Sequence, residues 1–191
     1  CLGKQENRFD RMGERIKRMI LVVIPQWCTL KSVTGKDLAG IGHALLFWGF
    51  SCFLVSYIVL IGLGEGLGLH TYMEGTAFET VFLSVLDFAG ILVLFSVVWA
   101  AIRRYIVKPP RLEISLEAGF IMLMVFSLMV LHFCVEGFGM AALGETHGWP
   151  IISSAIAGAV AGSGMAKETI MAVSHGAWCL HYMLILVFTI Y

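Results

Sequence analysis

Four long apolar stretches divide the chain, at residues 38–63, 80–105, 116–143 and 172–191. Each is close to the ~20 residues that a helix needs to cross a hydrocarbon core. The apolar positions run on continuously, without the alternation of a half-buried strand, and in lipid only helices and closed barrels satisfy the whole backbone. The pattern therefore predicts an all-α integral membrane bundle with four spans in this chain. Ahead of the first span the pattern changes. Arg8, Arg11, Arg15, Lys17 and Arg18 lead into the apolar residues 19–24, which Pro25 follows. That reads as a basic amphipathic helix lying on the membrane surface and stopped at the proline. The division is a cytoplasmic amphipathic segment, 1–36, and a transmembrane bundle, 37–191.

Composition narrows the function. Of 191 residues, 59% are hydrophobic and 14% charged, and the mean hydropathy is +0.87. Soluble domains carry about a quarter charged residues, so an aqueous globular enzyme is excluded, as are intrinsic disorder and a disulfide scaffold. A formal net charge of zero offers no field for nucleic acid. Basic residues are unevenly placed, however. Those from Arg8 to Lys36, with Arg103, Arg104, Lys108 and Arg111, fall on one side of a four-span arrangement, and Lys167 alone on the other. By the positive-inside rule the basic side is cytoplasmic. The loops 64–78 and 144–171 then face outward, and both ends of the segment lie inside.

The chain begins with Cys1, and no signal-peptide pattern precedes it, so it reads as a segment of a longer protein. A lipidated Cys1 would place the first segment outside, against the charge distribution. The other cysteines, Cys28, Cys52, Cys134 and Cys179, form no CxxC pair, which argues against a zinc or iron–sulfur site within the chain. Those inside spans read as small buried apolar residues.

The histidines carry the chemistry. Of six, His43, His132, His175 and His181 fall in three of the four spans. An imidazole in hydrocarbon is costly and points to function, although one alone can serve as an interhelical hydrogen bond. Four in a small bundle suit a shared haem iron, because facing helices can supply one axial imidazole from each side. At ~1.5 Å per residue, His43 lies roughly 8 Å from the cytoplasmic edge, and His132 roughly 6 Å from the outer edge. By the same count His175 is ~5 Å and His181 ~14 Å below the outer edge. His132 is thus level with either histidine of the last span, whereas the mate of His43 is expected beyond Tyr191. His175 and His181 are six residues apart, about 120° around a helix, so only one of them serves a given iron. His70 and His147 fall in outer loops as solvated side chains.

Around His43 the chain reads Gly40-Ile41-Gly42-His43-Ala44-Leu45-Leu46-Phe47-Trp48-Gly49-Phe50, with glycines where a macrocycle or a helix must come close. The segments LGKQENRFDRMGERIKRM (2–19), GIGHALLFWGF (40–50) and RRYIVKPPRL (103–112) resemble one family. It is the haem b membrane domain related to the nitrate reductase gamma subunit and to the membrane subunit of heterodisulfide reductase. The resemblance spans nearly the whole chain. It implies a five-span bundle with one helix before residues 2–19 and a histidine-bearing continuation past residue 191. It also implies a prokaryotic cytoplasmic (inner) membrane and a cytoplasmic iron–sulfur protein or domain of the heterodisulfide reductase type, with a flavoprotein beyond it. Residue by residue, His43 matches the cytoplasmic-side ligand and His181 the ligand on the last helix, with His175 as a nearby substitute. Where the nitrate reductase subunit carries a second histidine on the His43 helix, this chain has Cys52-Phe53-Leu54. An outer haem would then need His132.

Two acids complete the candidates. Asp87 sits roughly 10 Å below the outer surface, which suggests quinone or proton handling, or a bond to a ligand histidine; a structural bond to a neighbouring helix is the plain alternative. Glu136 lies at the outer end of the third span. The expected function is a membrane cytochrome b subunit, part of a quinone-linked oxidoreductase complex. It would pass electrons between menaquinone or ubiquinone and the iron–sulfur partner through one or two haem b groups. The competing readings are a haem-free anchor for a soluble dehydrogenase, and a proton path through Asp87 and the histidines; the second span is too poor in polar residues to favour the latter.

Overall fold

The computed structural model describes residues 9–34, 38–69, 72, 75–110, 112–145 and 149–191. Arg8, Lys36, His70, Arg111 and His147 lie outside them. The chain forms two compact units, Cys1–Ala44 and Leu45–Tyr191. Among the described residues every regular element is helical: α1 (Met12–Val23), α2 (Trp27–Lys31), α3 (Ala39–Ser56), α4 (Ala77–Ala101), α5 (Leu116–Leu143), α6 (Ile151–Gly162) and α7 (Lys167–Ile190). Widened π-type turns extend α3 through Tyr57–Glu65 and α4 through Ile102–Val107.

In the first unit, α1 exposes Met12, Ile16, Met19, Ile20 and Val23 at helical spacing. Its end follows from Pro25, which cannot continue an i→i−4 ladder. The chain turns through Gln26, whose φ is 55°, and the Gln26 amide nitrogen donates to the Val23 carbonyl at 2.9 Å. Thr29 Oγ1 then donates to Gln26 Oε1 at 3.1 Å, tying α2 to the same turn.

The second unit holds most of the apolar length. Among the described residues four helices are long and apolar enough to cross a membrane: Ala39–Gly64, Ala77–Val107, Leu116–Leu143 and Lys167–Ile190. The third agrees with the sequence expectation at both ends. Ser115 caps it by accepting from the Ala118 amide at 3.3 Å, and Gly144 leaves it at φ 81°. The second starts three residues earlier than its apolar run, because Thr76 and Glu79 form a capping box. Thr76 Oγ1 accepts from the Glu79 amide at 3.3 Å, and Glu79 Oε2 from the Gly75 amide at 2.6 Å. The fourth begins at Lys167 rather than 172. A core of Val93, Val97, Val125, Leu128 and Met129 joins α4 to α5, with Phe50 and Phe53 of α3 and Ile185 and Phe188 of α7 packed against it.

The outer loop expected over 144–171 is not a plain loop. Its middle is α6, twelve residues that at ~1.5 Å each reach only about 18 Å, too short to span and so passed over by a length criterion. α6 packs on α5 where Gly137 lacks a side chain; a Cβ there would lie 2.5 Å from Ile156 Cγ2. Gly137→Leu is expected to push the helices apart and cost about 1–3 kcal/mol, the usual penalty of overpacking. Thermal unfolding in detergent would show a lowered midpoint, whereas Gly158→Ala, with nothing within 4 Å of the added carbon, should leave it nearly unchanged.

Candidate functional site

Within the second unit, α3, α4, α5 and α7 enclose a cavity of about 200 Å³. α5 contributes His132 and, one turn on, Glu136. α7 contributes Trp178, His181 and Tyr182, which share a face at i, i+3 and i+4. Phe53, Ser56 and Tyr57 close it from α3 and its widened turn, and Leu83 and Leu86 from α4. The Phe53 ring meets His132 edge-on, with centroids 5.0 Å apart and planes at 82°. A second cavity of about 240 Å³ adjoins the first along Phe53, Tyr57 and His181 and runs toward Leu128, Met129 and Phe188. His181 therefore stands between two spaces. Its Nδ1 is closed to solvent and has no hydrogen-bond partner.

Of the two histidines of the last span, His181 lines this cavity together with His132. His175 lies on an exposed face of α7, away from the cavity. The roughly 120° between them, read from six residues of helix, separates the two as expected. His43 belongs to the first unit, on α3, and is exposed there. Among the described residues no group of three or more His, Cys, Asp or Glu is placed to hold a bare metal ion.

Asp87 has a different environment from its neighbour Leu86. It is 4% exposed, and both carboxylate oxygens are taken by the start of α6. The Ile152 amide donates to Oδ2 at 2.7 Å; the Ser153 amide and hydroxyl donate to Oδ1 at 3.2 and 2.8 Å. Pro150, the residue before the helix, brings no capping side chain. Asp87 supplies the missing acceptors from another helix and sets its charge against the positive end of the α6 dipole. This is the plain interhelical bond rather than a group facing the histidine cavity.

Trp178 and Tyr182 line the cavity with their rings tilted against each other, centroids 4.5 Å apart. Their spacing around His181 was a signal in the sequence. Nothing comparable marked Phe53 or Tyr57, which reach the site from α3.

Two known proteins are similar to this chain. FadF of Bacillus subtilis (strain 168), a probable iron–sulfur-binding oxidoreductase, is 31% identical over 198 residues, covering all of this chain and 26% of that protein. The EtfAB:quinone oxidoreductase of Syntrophomonas wolfei is 33% identical over 144 residues, 74% of this chain and 19% of that protein. The chain thus spans about a quarter or less of either relative. No family model and no solved structure matches it.

Proposed function

We propose that this chain is the membrane part of a quinone-linked oxidoreductase, passing electrons between menaquinone or ubiquinone and an iron–sulfur partner of the heterodisulfide reductase type, with a flavoprotein beyond it. The observation that carries the reading is the pair His132 and His181, two intramembrane imidazoles from different helices on one cavity. The two similar proteins support it through what they are named to do: one binds iron–sulfur centres, the other reduces or oxidises a quinone. The Arg103, Arg104 and Lys108 end then faces the cytoplasm of a prokaryotic cell and the soluble partner.

The residues suit haem b by donor type and placement. Neutral imidazoles are good axial ligands, and the Nδ1 of His181 is shielded from solvent without a hydrogen-bond partner. The room is divided between two cavities by Phe53 and Tyr57, so these side chains set how a flat group is seated. When bound, haem would supply one-electron chemistry at a potential tuned by its ligands and burial. His132 and His181 would hold and orient it, and the apolar walls would keep water away. Glu136, in the same cavity one turn from His132, is placed to hold a quinol proton. His43 is assigned to a second haem nearer the basic end.

A dithionite-reduced spectrum of the purified protein tests this. Sharp low-spin bands are expected, with two haems per chain falling to one in His43→Ala. A protein without such bands would be a haem-free anchor, and the assignment would fall.

A further inference from the structure

A groove of the second unit lies away from the histidines, at the basic end. It measures about 410 Å³ and runs between the end of α4 and the start of α5. Val98, Ala101 and Tyr105 form one wall, Gly119, Met122 and Phe126 the other, and no charged side chain lines it. The Tyr105 hydroxyl donates to the Ser115 carbonyl at 2.8 Å, which pins the phenol across Gly119. A Cβ on Gly119 would come within 2.5 Å of that oxygen, so the glycine is what allows the two walls to meet there.

The groove adjoins cations. Arg103 and Arg104 share the widened turn with Tyr105, and Lys108 caps the end of that turn in the left-handed conformation, at φ 49°. One Arg104 terminal nitrogen donates to the Glu113 carbonyl at 2.7 Å, which fixes the guanidinium. Its Nε is shielded from solvent and has no acceptor. Among the described residues of this stretch Glu113 and Glu117 are the acids, against the cations Arg103, Arg104 and Lys108. An apolar slot ending in fixed positive charge complements an anionic amphiphile.

We propose that this groove binds one anionic phospholipid, with an acyl chain between α4 and α5 and the phosphate against Arg104 and Lys108. The site is independent of the haem reading. A zwitterionic lipid would fill the slot but gain little from the rim, since near a surface each Lys or Arg favours anionic over neutral lipid by roughly fivefold.

The test uses the protein purified from membranes in mild detergent and mixed with equimolar phosphatidylglycerol and phosphatidylcholine of the same chain length. Bound lipid is counted by native mass spectrometry. One phosphatidylglycerol per chain is expected to be retained, preferred by about tenfold or more, which two favourable cations would give. Arg104→Gln with Lys108→Gln should erase the preference. Arg104→Lys, which keeps the charge, should retain most of it and shows that the fold survives a change at this position. Ala101→Phe, which fills the groove and leaves the rim intact, should lose the lipid. Equal retention of both lipids by the unmodified protein would overturn the proposal. So would undiminished phosphatidylglycerol on Ala101→Phe, or its displacement by equimolar decylubiquinone.

Discussion

His181→Leu is expected to remove one haem per chain completely, together with its low-spin bands, while the protein still inserts and purifies. The leucine is apolar and similar in bulk, so the packing of α7 near Leu128 and Met129 should survive, and only the nitrogen ligand is lost. His132→Leu should give the same loss from the facing helix, because an iron left with one imidazole no longer has two strong axial ligands. His175→Leu is the internal control: its side chain is exposed and off the cavity, and haem content should not change. The haem-to-protein ratio and the redox titration of each variant read this directly. Retention of both titrating components in His181→Leu, with loss of one in His175→Leu, would move the site to the other face of α7.

The second large effect is on stability. Asp87→Ala takes three hydrogen bonds from the start of α6 at once, and two of the donors are backbone amides with no capping side chain at Pro150 to replace the acceptor. A buried donor left unsatisfied costs about 1–3 kcal/mol, so the variant should lose about 3 kcal/mol or more. Asp87→Asn keeps one carbonyl acceptor but not the charge opposite the helix end, and should lose about half as much. The change should be local as well as global. A cysteine placed at Ser154, itself 7% exposed, should become reactive to a water-soluble maleimide in the Asp87→Ala background and stay protected in its absence. An Asp87→Ala protein with unchanged melting and a protected Cys at 154 would show that α6 is held by its packing on Gly137 alone. Because Asp87 does not line the histidine cavity, haem content should change less than stability does.

How these two sites differ in legibility says what the sequence by itself determined. The number of spans, their order and their ends to within a few residues follow from length and apolarity, which are local properties: the third span agreed at both ends, and the second missed the cap at Thr76 and the widened turn that carries it to Val107. The separation of His175 from His181 was equally legible, since six residues on one helix fix an angle whatever surrounds them. Two things waited for the tertiary structure. The first is which faces turn inward. In a soluble helix the polar face points out and the apolar face in, but a span is apolar toward lipid and toward its neighbours alike, so the pattern could not say that Phe53, Tyr57 and Trp178 would meet His132 and His181. The second is the pairing of Asp87 with α6, 65 residues away along the chain, on a helix too short to register as a span. A carboxylate announces that it needs donors; only the packing of α6 against α5 at Gly137 decides that they are the amides of Ile152 and Ser153 rather than a histidine ring.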